Sequence, residues 1–181
     1  MVKRISLSND HLGLDDISIH HSDSESSLKL YFTHEWKNYE KRFNGYTTKD
    51  LINELRIRID ESNHTSSLSL SLLSAIEAAF RIDYLQRNYK KRKDPLSRDF
   101  RAIYRQKNLR ASLEEDIFDT WKANANGASQ IISDLKGAFK YRHWLAHGRY
   151  WEPKFGRPRY DYDTVYEMTE IVFHSFPFEG V

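Results

Sequence analysis

The chain has 181 residues, with 28 Lys+Arg against 26 Asp+Glu for a net charge of +2, and no cysteine. That length fits one domain and buries about 70% of its unfolded surface, so a core forms without covalent staples, and disulfides, thiolate zinc sites and thiol nucleophiles are excluded. A mean hydropathy of -0.74 is polar, yet 14% aromatic residues exclude a disordered chain, and no apolar run is long enough to suit a membrane span.

The first ten residues carry Lys3 and Arg4 with no apolar run behind them. Neither a signal peptide nor a membrane anchor is expected, no membrane partner is foreseen, and the cytoplasm is the expected compartment. Residues 1–45 read as a poorly patterned N-terminal arm packed on the remainder of the chain, with a Ser-rich stretch at Ser22–Ser27 and with His20 and His21 exposed and idle. From Leu28 to Phe43, the apolar residues Leu30, Phe32, Trp36 and Tyr39 permit either a short helix or a pair of strands.

Residues 46–181 read as helical throughout. Thr47 or Thr48 caps a helix with Leu51, Leu55 and Ile59 on one stripe, although Leu55, Ile57 and Ile59 also alternate like a strand, and Leu72, Ile76, Ala79, Phe80 and Asp83 keep the 3.6-residue period of a long helix through to about Tyr89. Asp94 and Pro95 supply an N-cap and a first helical proline ahead of Leu96, Phe100, Ile103 and Tyr104. Ser112 and Glu115 form a capping box before Leu113, Ile117 and Trp121, and Asn124 to Gly127 break that helix. The next helix runs from about Ala128 to His147, its stripe being Ala128, Ile131, Leu135, Phe139 and Ala146, with Gly148 placed to stop it. A last helix from about Thr164 to Phe176 carries Val165, Met168, Val172 and Phe176. The expected fold class is all-α, an up-and-down bundle of about five helices with no internal repeat and no Gly-rich phosphate loop.

The small net charge hides a partition. Residues 81–110 hold 11 Lys+Arg and 3 acids, and residues 136–159 hold 7 and 1, so the remainder is acidic. Two basic segments in an otherwise acidic chain point to an anionic partner, nucleic acid or phosphate, although basic helix faces are also ordinary solvated surface.

Chemistry concentrates in residues 141–151. Arg142 shares the core stripe with Leu135, Phe139 and Ala146, and a guanidinium there must be paired or line a cleft. His143 and His147 are four apart and share a helix face beside that stripe. An imidazole moves protons near neutral pH, and a guanidinium holds phosphate oxygens and the charge that develops on them, which suits phosphodiester cleavage. With RNA the 2′-OH is the nucleophile, so no metal is required. The same histidines also suit a structural role. A metal pair is a third reading, but Trp144 follows His143 where a zincin has Glu and no third ligand is near, so no metal and no cofactor are expected.

The run from Arg142 through His143 to His147, late in a helical chain, resembles the Arg-x4-6-His signature of the HEPN superfamily (higher eukaryotes and prokaryotes nucleotide-binding). Arg142 and His147 fall on its two fixed positions and His143 on its polar slot, and Trp144, Ala146, Gly148, Arg149, Tyr150 and Trp151 add to the likeness. The helices from about Thr47 to Phe176 are compatible with the family, while the specific match is confined to Arg142–Tyr150. The resemblance implies a HEPN-like bundle and a metal-independent endoribonuclease that leaves a 2′,3′-cyclic phosphate and serves as a toxin or antiphage effector. Arg142, His147 and His143 would be its catalytic residues. It also implies a homodimer in which two motifs meet in one composite active site, and an antitoxin partner of nucleotidyltransferase or other type. In such toxins a Tyr two residues after the His is modified; here Arg149 stands at that position and Tyr150 comes one later. Some relatives are silent, so a non-catalytic module that binds RNA or a nucleotide, and an interaction protein of a toxin–antitoxin pair, are the alternatives.

Two sets of residues would support that site. Glu77, next to Ile76 on the long helix, is expected to bond and orient Arg142, as acidic residues of an earlier helix do in some relatives, or else to meet solvent. Arg149, Lys154, Arg157 and Arg159, interleaved with Tyr150, Trp151, Phe155 and Tyr160, suit a loop that binds RNA phosphates and stacks bases, or one packed on the bundle by its own aromatics.

Overall fold

Residues 14–31 form an 18-residue helix, α1, where the sequence suggests a loose arm. The structure is a computed structural model that describes residues 13–65, 67–147, 151 and 160–181, the side chains of 61–65 and 67 excepted. Helix α1 escapes a periodicity search because Ile17 is its one buried side chain and four of six residues from Ser22 to Ser27 are serine. Tertiary contact offsets that weak propensity: Ile17 enters the main core, and the Asp16 carboxylate accepts the Gly13 backbone N–H at 3.2 Å to cap the first turn. His21 is not idle, because its ring lies flat on Tyr162, with centroids 3.6 Å apart and planes 1° from parallel.

Beyond a turn at 32–38, α2 (Tyr39–Arg42) is a single helical turn, so the strand pair allowed for this stretch does not form. Phe32, Tyr39 and Phe43 make a small aromatic core of their own, against which Leu51 and Leu55 of α3 (Thr48–Thr65) pack. Thr47 caps α3: its hydroxyl accepts the Asp50 N–H at 3.2 Å, and the Asp50 carboxylate accepts the Thr47 N–H at 2.9 Å.

Helix α4 (Ser67–Tyr89) is the central element and packs against α1, α5, α7 and α8. Its Leu72, Leu73, Ile76 and Phe80 are fully buried, each such side chain contributing roughly 1.5 to 3 kcal/mol of burial free energy. Helix α5 (Pro95–Lys107) begins as the sequence predicts, with Asp94 accepting the Ser97 N–H at 3.0 Å, and buries Leu96 and Phe100. A short 3-10 turn (Asn108–Arg110) and a π-helical turn (Leu113–Phe118) then lead into α6 (Asp119–Asn124). Gly127 takes a left-handed φ of 81° to turn the chain into α7 (Ala128–Ala146). Helix α8 (Tyr162–Ser175), capped by Asp161, buries Val165, Thr169 and Val172 against α4.

The fold is all-α: among the described residues there are eight α-helices and no strand. The count exceeds the expected five because α1 and α2 lack the length or pattern that periodicity detects, while the helix expected after Ser112 is present as the π-helical turn followed by the six-residue α6. The C-terminal residues return to α4, where Arg87 Nη2 donates to the Pro177 carbonyl at 2.8 Å and Asp83 accepts the Glu179 N–H at 2.8 Å.

Candidate phosphate-binding site at the end of α7

The inward side of α7 is Ala128, Ile132, Leu135, Ala138 and Phe139, and over its last turns the buried face rotates to Tyr141 and Leu145. Ala146, expected on the stripe, is exposed. On the Tyr141 side the Tyr160 ring stacks on the helix, with centroids 5.4 Å apart. Arg142 is left at the border of the core, its side chain 35% exposed.

The guanidinium of Arg142 faces α4. Its Nη2 lies 3.2 Å from Glu77 Oε2, its carbon sits 5.8 Å from the Phe139 ring centre, and its Nε is buried without an acceptor. Glu77 also binds Arg81 one turn along α4, with Oε1 accepting from Arg81 Nε at 2.8 Å, and Arg81 Nη1 donates to the Ala111 carbonyl at 3.3 Å. One carboxylate thus serves two guanidinium groups and leaves the cluster with a net positive charge. Sequence reasoning singled out Glu77 and Arg142 but missed Arg81; the Glu77–Arg81 spacing of four on one helix was the available signal.

His143 and His147 lie on the solvent side of the same last turns. Both are exposed, and their rings pack at a centroid distance of 4.2 Å and an angle of 52°. The His147 N–H donates to the His143 carbonyl at 3.1 Å, which keeps the two in helical register to the end of α7. Trp151 is half-buried with its ring 6.0 Å from His143, and its carbonyl accepts the Trp144 indole N–H at 2.8 Å. Trp144 thereby ties the chain beyond α7 back onto the helix.

These contacts bring Arg142, Glu77 and Arg81 into one ion cluster, and His143, His147 and Trp151 into one aromatic cluster beside it. Tyr150, Arg149, Lys154, Arg157 and Arg159, and the expected stop at Gly148, lie outside the described residues. Within residues 81–110, Arg81, Arg87, Lys90, Arg92 and Lys107 form ion pairs with Glu77, Asp83, Asp94, Asp116 and Glu179, so part of that segment's charge is neutralised within the fold. Among the described residues no three His, Cys, Asp or Glu side chains gather as a metal-ion set, and no helix is long and apolar enough to cross a membrane. No family model, curated protein or solved structure matches this chain.

Proposed function

We propose that the chain is a metal-independent endoribonuclease of HEPN type, acting as a toxin or defence effector in the cytoplasm. The observation that carries this reading is the juxtaposition on one helix end of a carboxylate-held guanidinium, Arg142, with a solvent-open pair of imidazoles, His143 and His147.

The chemistry is set by the residue types. A base removes the proton of the ribose 2′-OH, the 2′ oxygen bonds to phosphorus, and the bond from phosphorus to the 5′ oxygen breaks as that oxygen takes a proton. The products are a 2′,3′-cyclic phosphate and a 5′-OH. His147 acts as general acid or base, Arg142 holds the scissile phosphate and the charge that grows on its oxygens, and His143 orients or assists. Arg142 engages Glu77 through Nη2, and its Nη1 donates to no acceptor among the described residues, which leaves one edge of the fork for a phosphate oxygen. In the proposed homodimer two copies of Arg142 and His147 line one composite active site. Residues 149–159, with Tyr150, would hold the RNA strand, and an antitoxin of nucleotidyltransferase or other type would restrain the enzyme.

The test is incubation of RNA with the protein in EDTA. Cyclic-phosphate ends that fall by about 100-fold or more in both Arg142→Ala and His147→Ala support the proposal. Retained RNA binding without cleavage identifies a non-catalytic module. Protection of cells by overexpression, in place of growth arrest, identifies the interaction partner of a toxin.

A further inference from the structure

We propose that Arg81 binds a second phosphate of the RNA, next to the scissile one, so that the nucleic-acid surface crosses from α7 onto α4. This rests on the reading of Arg142 as the scissile-phosphate residue. The two basic segments of the sequence, 81–110 and 136–159, begin on different helices, and one member of each, Arg81 and Arg142, meet on the two oxygens of Glu77.

Donors at this point outnumber acceptors. Arg81 and Arg142 together present ten N–H groups. Glu77 and the Ala111 carbonyl accept two hydrogen bonds from Arg81, Arg142 adds an ion-pair contact to Glu77, Arg81 Nη2 donates to no acceptor among the described residues, and the Arg81 side chain is 40% exposed. A guanidinium fixed at Nε and Nη1 with its remaining nitrogen open is pre-organised for an anionic oxygen. Two guanidinium groups on the two oxygens of one carboxylate, each with a nitrogen that meets no acceptor among the described residues, offer places for two successive phosphates. Arg110, next in sequence to Ala111, whose carbonyl accepts from Arg81, is exposed. The substrate class is therefore an RNA strand with at least one phosphate beyond the cleaved one, and Glu77 is a positioning residue for both arginines.

Substrate length separates this role from a scaffolding one. Arg81→Gln, compared with wild type, is assayed on a dinucleoside monophosphate, whose single phosphate is the scissile one, and on a hexanucleotide. Binding of a hexanucleotide carrying 2′-deoxyribose at the cut site is measured against salt. The expected result is a five- to tenfold rise in KM for the hexanucleotide with kcat within about threefold, and no change for the dinucleotide. The slope of log Kd against log salt should fall by about 0.7, the value for one phosphate contact on a single strand, and Arg81→Lys should restore it. Equal losses on both substrates, with an unchanged salt slope, would make Arg81 a structural clamp and overturn the inference. Wild-type behaviour of Arg81→Gln also overturns it, while leaving the nuclease reading to stand or fall on Arg142→Ala. If wild type cleaves nothing but binds the deoxy-substituted strand, the salt slope still decides for or against Arg81. A wild-type protein that binds no strand defeats both.

Discussion

The hydroxyl of Tyr160 rests on Gly137 of α7, so close that a Cβ there would stand 2.3 Å from its oxygen. A mid-helix glycine costs roughly 0.5 to 1 kcal/mol against alanine, so the missing side chain is kept for room and not for helix formation. Through that contact Tyr160 is seated on Tyr141, one residue before Arg142, and the chain is tied to the helix that carries the site.

Gly137→Ala should therefore destabilise the protein by about 1 to 3 kcal/mol, in spite of better helix propensity, since the buried Tyr160 ring must shift. For a chain of this size that is a fall in Tm of about 2 to 10 °C. Tyr160→Phe in the same chain should recover most of the loss, because the next ring atom, Cζ, would be at an ordinary 3.5 Å. A thermal melt in which Gly137→Ala is more stable than wild type would contradict the contact.

Glu77→Gln tests the ion cluster. The amide keeps the shape but removes the charge that holds Arg81 and Arg142 in place, and Glu77 is only 23% exposed. The expected outcome is a loss of about 1 kcal/mol in stability with a fall in RNA cleavage of tenfold or more, read in parallel melts and initial rates. A fall in stability with no change in rate would reduce Glu77 to an ordinary structural partner.

What the sequence could reveal of this architecture depends on how strongly each element signals itself. The apolar spacing of α4 and the Asp94-Pro95 start of α5 announce themselves because burial and capping there obey local rules. Helix α1 does not, since a single isoleucine is its only buried residue, serines fill its middle, and its core partners lie far along the chain. His21 is equally silent, because its stacking partner Tyr162 is 141 positions away. At the site, Arg142 and Glu77 were legible from their places on two apolar stripes. Arg81 was not, because an i,i+4 pair on a helix normally signifies solvated surface, and only the approach of α7 makes it part of a cluster.

The cap of the π-helical turn offers a sharper case. The sequence pairs Ser112 with Glu115, and Ser112 Oγ does accept the Glu115 N–H at 3.3 Å, but in the return bond the Ser112 N–H donates to Asp116 Oδ2, at 2.7 Å. The wider turn explains the shift by one, since the Ile117 N–H also reaches back five residues to the Ser112 carbonyl at 3.1 Å. Asp116→Asn should cost about 0.5 to 2 kcal/mol and Glu115→Gln almost nothing, measured by urea denaturation. Burial raises the Asp116 carboxyl, but the Lys107 ammonium and the Ser112 N–H outweigh it and hold it below the ordinary range. Its stabilising contribution is thus present above about pH 4 and is lost as pH falls through the depressed value.

Asp83 runs in the opposite sense. It is fully buried on α4, and burial pushes its carboxyl up to about 6 against the opposing pull of Arg87 and the Glu179 N–H. A raised folded-state value means that the protonated form favours folding: the contribution is whole below the unfolded value of 3.8 and disappears as pH rises through about 6. That interval corresponds to about 3 kcal/mol. Asp83→Asn mimics the protonated form at every pH, so the stability of wild type minus that of the variant should decline between pH 4 and 7. Asp83→Ala instead removes the acceptor shared by Arg87 Nε, at 2.7 Å, and the Glu179 N–H. It leaves the buried guanidinium undercompensated and should cost about 3 to 5 kcal/mol. Melts of the three proteins across that pH range decide the matter, and a difference between wild type and Asp83→Asn that grows with pH would mean that the Arg87 ion pair outweighs burial.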